Sequence, residues 1–197
     1  MTQKIYAIVL AAGEASRFGS VKQLVAVEGK PMAVRAVESA AGACNDRTIL
    51  VVGHEAAAIA AACEGAPGFI VVNDDYGNGM GTSIAAAMQR LPPGADAVLI
   101  TLADQPLVTA AHLRALVDAW SGEDDEIVAS AFAGTHGPPA LFPRACYEAL
   151  AGLRGDEGAR KLLQDSRFRV TSVICEPAAL DVDTAEDLRQ ISRSARS

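Results

Sequence analysis

Short, unbroken apolar runs alternate with alanine-rich windows along most of the chain. Residues 5–10 form a run without polar alternation, the pattern of a strand covered on both faces. Similar runs predict strands at 48–52, 69–72, 97–102, 127–131, 140–142, 170–175 and 180–183. Helical composition fills much of the space between them, at 31–43, 54–64, 82–90, 109–120, 144–150, 157–164 and 185–193. Pro31 opens the first of these, where its missing N–H costs nothing, and Gly65 supplies a stop for the second. Residues 73–81 read as a turn-rich loop, and the acidic 123–126 stretch as a solvated turn. Repeated strand–helix alternation in this length predicts an α/β fold: a Rossmann-like three-layer α/β/α arrangement around a mostly parallel central sheet, with residues 1–197 as a single domain.

Composition narrows the function classes. Across 197 residues, 17 Lys and Arg face 24 Asp and Glu, for a net charge of −7, and half of the residues are hydrophobic. An anionic surface argues against a nucleic-acid partner, because affinity for a phosphate backbone rests on Lys and Arg. A small phosphorylated ligand needs only a local cationic cluster and remains open. Lys4 followed by the apolar run 5–12 resembles a short secretory leader, but the run stops at Gly13-Glu14 and reads better as a buried strand. No apolar stretch is long enough to cross a membrane as a helix. Cys44, Cys63, Cys146 and Cys175 form no C-x-x-C pair, the usage of reduced thiols in a cytoplasmic protein. His54, His112 and His136 are scattered without metal-ligand spacing and read as surface or capping residues.

The loop after the first strand carries the first candidate chemistry. Leu10, Ala11, Ala12 and Gly13 let backbone N–H groups approach a phosphate, while Arg17 offers a planar fork and Lys22 a point charge. Gly13 and Gly19 stand six apart with no Gly-Lys-Ser/Thr after them, so this is neither a P-loop nor G-x-G-x-x-G. An ordinary glycine-containing loop with solvated Arg and Lys explains the same residues.

Asp104 follows the apolar run 97–102 directly. Ligands of open parallel sheets bind beyond the carboxyl ends of strands where strand order reverses. If the first strand and this one flank that point, Asp104 and the Gly13 loop face the same crevice, and a phosphate bound there would need a cation between it and the carboxylate, for which Mg²⁺ is suited. Shaping a turn before Gln105-Pro106 is the competing role. Asp181 and Asp183 would share one face of a strand with Val182 turned into the core. Asp183-x-x-Glu186 is equally a capping box for the last helix.

The run L-A-A-G-x-x-S-R-F-G-x-x-K resembles the signature loop of nucleotidyltransferases that activate sugar phosphates, isoprenoid precursors and molybdopterin. Further motifs follow in the same order: Asn73 with Gly79-Met80-Gly81-Thr82-Ser83, Leu102-Ala103-Asp104-Gln105-Pro106, Gly137 with Pro139-Ala140-Leu141-Phe142, Gly155-Asp156-Glu157-Gly158-Ala159-Arg160, and Asp181-Val182-Asp183-Thr184-Ala185-Glu186-Asp187. Together they resemble the MobA-like group, and within it the molybdenum cofactor cytidylyltransferases, over nearly the whole chain. The resemblance implies a nucleotide-diphospho-sugar transferase type of fold. It implies that CTP and a phosphorylated pterin cofactor are the substrates, with CTP indicated by LAAG where guanylyltransferases favour LAGG. It also implies transient contact with a molybdoenzyme or its chaperone.

For the site, the resemblance implies Arg17, Lys22 and Asp104 as catalytic residues, with Mg²⁺ on Asp104 and Asp183. Leu10, Ala11, Ala12, Gly13, Arg17, Lys22, Asn73, Gly79 and Ser83 would bind nucleotide; Gln105, Gly137, Pro139, Asp156 and Arg160 would bind the acceptor. Structural roles compete for several of these: turn formation for Asn73, helix capping for Ser83, and a first-turn Asp and solvated Arg for Asp156 and Arg160. Two positions depart from the family pattern, Ala103 where Gly commonly precedes the Asp and Pro138 where a polar residue is expected. Three other readings stay open: transfer from GTP or to another phosphorylated acceptor, a MobA-like cofactor-delivery protein, and an oxidoreductase of alkaloid or purine breakdown.

Overall fold

The structure, a computed structural model, describes residues 3–14, 21–182 and 186–187. Nine strands are present among them: β1 (Ile5–Ala11), the two-residue β2 (Ala26–Val27) and β3 (Lys30–Pro31), β4 (Thr48–Val52), β5 (Phe69–Val72), β6 (Ala97–Leu102), β7 (Glu126–Phe132), β8 (Thr135–Pro143) and β9 (Arg169–Ile174). Five α-helices join them: α1 (Met32–Cys44), α2 (Ala56–Ala62), α3 (Met80–Gln89), α4 (Ala110–Ala119) and α5 (Tyr147–Ala151). The main sheet has seven strands in the order β5-β4-β1-β6-β8-β7-β9.

Only β8 runs against its neighbours in this sheet; β5, β4, β1 and β6 pair in parallel, as do β7 and β9. The exception has a local cause. β7 and β8 are joined by Ala133-Gly134, both at positive φ (48° and 73°), the conformation of a tight type I′ hairpin, which can only return antiparallel. Everywhere else a longer connection returns the next strand in the original direction.

Side-chain alternation along β1 shows why the sheet is covered twice. Ala7, Val9 and Ala11 join a core with α1, α2 and α4 residues such as Val37, Ile59 and Leu116. Ile8 and Leu10 join the opposite core, with Ile84 of α3 and Leu150 of α5. Both sets are buried, so a continuous apolar run replaces the half-polar pattern of a strand open to water. Small residues let helices on the same face pack closely: a Cβ placed on Gly42 of α1 would lie 3.6 Å from Cβ of Ala110 in α4.

Several expected elements differ in kind. Pro31 precedes α1 as an extended residue pairing with Ala26, because its ψ of 140° lies outside the helix. The 157–164 stretch forms a 3₁₀ helix at Ala159–Gln164 instead of an α-helix. Residues 180–182 are not a strand; they follow a 3₁₀ turn at Glu176–Ala179. Glu186 and Asp187 are helical, while the rest of the expected 185–193 helix lies outside the described residues.

The acidic turn also needs correcting. Residues 123–125 are exposed, but Glu126 is buried at the start of β7. Its carboxylate accepts from Ser121 N at 2.8 Å, from the Ser121 hydroxyl, and from Thr171 Oγ1 at 2.6 Å, with Arg169 Nη1 at 3.4 Å. Burial raises the carboxyl, but the bonds from Ser121 and Thr171 and the Arg169 charge outweigh it and hold the group below its ordinary 4.5. A depressed folded value stabilises the fold above the unfolded carboxyl range and is lost as pH falls through the folded value. Glu126→Gln therefore costs stability, about 1–3 kcal/mol at pH 7, and its deficit against wild type shrinks below about pH 4. Urea unfolding of both proteins across pH 3–8 measures this; a deficit constant over that range would contradict it.

Candidate active site

The carboxyl ends of β1 and β6 lie level, Leu10 opposite Leu102, and Ala103 N extends the ladder to Leu10 O at 3.0 Å. From β1 the sheet proceeds through β4 in one direction and β6 in the other, so the connections diverge here and leave a crevice. A cavity of about 410 Å³ occupies it. It is lined along one side by Leu10, Ala11, Ala12 and Gly13 and along another by Leu102, Ala103 and Asp104.

Tethers shape the loop leaving β1. Ala12 O accepts from His54 N at 3.1 Å, and Gly13 O accepts from Gln23 Nε2 at 2.8 Å. Since N–H and C=O of a trans peptide point in opposite directions, fixing these carbonyls turns the N–H groups of Gly13 and Glu14 to the other side. Gln23 is buried and lines the cavity, a clamp that the sequence reading missed; its only signal was its place after Lys22.

Lys22 begins a 3₁₀ turn, Lys22–Leu24, on which residues 22 and 23 are both buried. Lys22 Nζ meets Asp104 Oδ2 at 2.8 Å, with the lysine side chain 10% exposed and the aspartate 29%. The two residues come from the loops after β1 and β6, 82 positions apart, and face each other across the crevice floor. Asp104 Oδ1 is buried and accepts no hydrogen bond from the described residues. An orphaned carboxylate oxygen beside a polar cavity matches what a hard divalent cation requires. Among the described residues no three His, Cys, Asp or Glu side chains cluster to hold a metal; of the described carboxylates lining the cavity, Glu14, Asp104 and Asp156, it is Asp104 that carries a buried oxygen without a hydrogen bond. Arg17 and Asp183 lie outside the described residues.

The third wall comes from the turn-rich segment. Asn73 is buried and fully engaged: its Nδ2 donates to Thr82 Oγ1 at 2.9 Å and Ser83 Oγ at 3.0 Å, and its Oδ1 accepts from Asp75 N at 3.0 Å. It does not line the cavity; it holds the loop whose Tyr76, Gly77, Gly79, Met80 and Ser83 do. Ser83 sits inside α3 and caps nothing, since the helix already begins at Met80. Gly79 has φ +102°, and a Cβ there would lie 2.3 Å from the carbonyl carbon of Gly155. Gly81 N donates to Gly155 O at 2.8 Å. This docking brings Asp156 to the cavity.

The other expected acceptor contacts do not line this cavity. Gln105 is buried, with Nε2 on Ala178 O at 2.9 Å and Asp181 Oδ1 at 3.0 Å. Gly137 and Pro139 are buried in β8, Pro139 O accepting from Ser130 Oγ at 2.7 Å. Arg160 is exposed and donates to Thr135 Oγ1 at 2.7 Å. His112 is half-buried: its Nε2 lies 2.8 Å from the buried Ser130 Oγ, and burial lowers its pKa. All four cysteines are free and buried, and burial pushes the Cys44 and Cys146 thiols up to about 12, far from nucleophilic thiolates.

Residues 7–171 match the MobA-like NTP transferase domain. The chain belongs to this family. Its sheet and flanking helices are those of the nucleotide-diphospho-sugar transferase fold. Purine catabolism protein PucB of Bacillus subtilis (strain 168) is 30% identical over 198 residues, covering 95% of each chain. Nicotine blue oxidoreductase of Paenarthrobacter nicotinovorans is 30% identical over 197 residues, covering 93% of this chain and 94% of its own. Rv0371c of Mycobacterium tuberculosis H37Rv, solved in complex with manganese, is 32% identical with a TM-score of 0.81, covering 98% of this chain and all of its own. The MobA-like domain takes in Lys22, Asp104 and every described cavity residue, which makes the crevice the candidate nucleotidyl-transfer site.

Two variants probe the crevice. Asp104→Asn keeps the side-chain volume and an oxygen for Lys22 but removes the charge. Mn²⁺ affinity, read by electron paramagnetic resonance, is expected to fall at least tenfold, with the melting temperature in metal-free buffer within a few degrees of wild type; unchanged affinity would contradict a cation role. Gly79→Ala forces a side chain into Gly155 and costs about 1–3 kcal/mol. Faster amide exchange at Gly81 marks the undocked loop; wild-type protection there would reject this account.

Proposed function

We propose that this MobA-like protein is a divalent-metal-dependent cytidylyltransferase. It moves CMP from CTP to the terminal phosphate of a molybdopterin-type cofactor, giving the pterin cytosine dinucleotide and pyrophosphate. The observation that carries this reading is the Lys22–Asp104 contact on the crevice floor, a cation and a carboxylate with one oxygen unsatisfied, facing the small-residue loop after β1. Purely structural ion pairs leave no buried oxygen unpaired as a rule.

In the transfer, an acceptor phosphate oxygen attacks the α-phosphorus, a new P–O bond forms, and the bond to the bridging β-phosphate oxygen breaks as pyrophosphate leaves. The attacking oxygen is already ionised at neutral pH, so the reaction asks for no general base. The protein's contribution is placement and charge. The N–H groups of Gly13 and Glu14, with Lys22 and Arg17, hold the triphosphate; Asp104 and Asp183 would hold a divalent ion, which when bound would supply positive charge against the phosphates. The exposed Met80 and the half-buried Tyr76 give the crevice an apolar wall for a flat ring.

A second reading follows from the full-length likeness to a protein named as an oxidoreductase: hydride transfer in a catabolic pathway. One set of assays separates the two. Pyrophosphate release is measured with CTP, GTP, UTP and ATP, with and without molybdopterin, alongside nicotinamide oxidation. CTP-selective release that requires the pterin is expected, with Lys22→Ala and Arg17→Ala each lowering kcat/KM about 100-fold or more. GTP preference would overturn the cytidylyl assignment, and hydride transfer without pyrophosphate release would establish the other reading.

A further inference from the structure

The segment after β9 returns to the turn that follows β6 and bears Asp104, and it is fastened at several points on the way. Cys175 N donates to Ala131 O at 2.9 Å, Ala178 N to Cys175 O at 3.0 Å and Leu180 N to Pro177 O at 3.2 Å, which fold residues 175–180 into a compact turn. Val182 N then donates to Asp104 O at 2.9 Å. The Val182 side chain is fully buried in a small cluster with Val27 and Met32, separate from the two main cores. The next residue in the chain is Asp183.

One side chain ties this arm to the carboxyl end of β6. Gln105 is 4% exposed, and its amide nitrogen serves two acceptors on the arm, Ala178 O and Asp181 Oδ1. Its own backbone is fixed in turn, Val108 N donating to Gln105 O at 3.1 Å. Residues 104 and 105 thus grip the arm twice, through the Asp104 carbonyl and the Gln105 amide. The carboxylate of Asp104 is aimed at the crevice from the same short turn. The NH₂ group has two protons, one for each acceptor, so no other residue type of this length can replace it: Glu has the reach and no donor, Asn the donors and not the reach.

We infer that Gln105 is a positioning residue that latches the 176–182 arm to the Asp104 turn and thereby sets the affinity of the crevice for a divalent cation. This assigns Gln105 to the interior of the site's scaffold in place of acceptor binding. The affinity half rests on the metal-dependent reading proposed above; the latch half rests on hydrogen bonds alone. Asp181, exposed and bonded to Gln105, stabilises the latch from the surface.

Gln105→Ala, Gln105→Glu and Asp181→Ala test the inference by two readouts, native-state amide exchange and Mn²⁺ titration followed by electron paramagnetic resonance. Exchange at Ala178 and Val182 is expected to accelerate at least tenfold in both Gln105 variants and a few-fold in Asp181→Ala. Amides of β1 and β4 should stay as in wild type, which shows that the fold is intact. Mn²⁺ affinity should fall about tenfold in Gln105→Ala, and the Gln105→Ala/Asp181→Ala double variant should be no weaker than Gln105→Ala, because the two act as one unit. Should Gln105→Ala misfold, Gln105→Met, which keeps the length without a donor or a charge, carries the test. Wild-type exchange on the arm in both Gln105 variants would overturn the latch. Accelerated exchange with unchanged Mn²⁺ affinity would overturn its link to the cation. Wild-type protein that binds no Mn²⁺ would overturn that link and the metal-dependent reading together, and the exchange data would still decide the latch.

Discussion

Taking an ammonium and a carboxylate out of water costs several kcal/mol per ion, and their attraction repays it only when the geometry is close and the remaining polar atoms are satisfied. Lys22 and Asp104 meet the first condition, at 2.8 Å, and leave the second open at Asp104 Oδ1. Much of the architecture around them keeps this arrangement in place. β1 and β6 deliver the two loops to the same edge of the sheet, Gln23 braces the one that bears Lys22, and the 175–182 arm braces the turn that bears Asp104. An apolar pair of similar size would stabilise the crevice floor as well or better. A charged pair with a spare oxygen is an arrangement suited to binding, in keeping with a family of NTP transferases.

The parts of the fold that could be read directly were those set by period and run length. A run buried on both faces has one simple explanation in an α/β chain, so β1, β4, β5 and β6 emerge within a residue of their bounds. Elements governed by tertiary contacts were harder to see. Residues 180–183 look like a strand because Val182 is flanked by polar residues, yet Val182 is buried in a pocket of its own and its N–H goes to Asp104, not to a ladder. Glu126 looks solvated in a row of acids because its three donors come from residues 121 and 171.

The candidate site shows the same division. Lys22 and Asp104 were marked as candidates by their loops after buried strands, and the likeness to the family is what singled them out from a solvated lysine and a turn-forming aspartate. Asn73 and Gln105 were recognisable as marked positions, but their local pattern does not say which way an amide points. In the structure both turn inward: Asn73 holds a loop that lines the crevice, and Gln105 ties the 176–182 arm to the turn that bears Asp104. Residues 15–20 and 183–185, which include Arg17 and Asp183, are not among the described positions, and their roles rest on chemistry and family likeness.

The central place of β1 has a consequence for how the protein is made. Ile5 pairs with Ala97 on one side and Ala7 with Thr48 on the other, so β1 is synthesised well before β6, the second of its two neighbours. Until β6 has been synthesised, one flank of an apolar strand offers its peptide groups to any passing edge. Long-range parallel pairing of this kind is slow and exposes the nascent chain to misassembly. Shielding of β1 until β6 follows it is accordingly a requirement of assembly that the stability of the finished sheet does not meet.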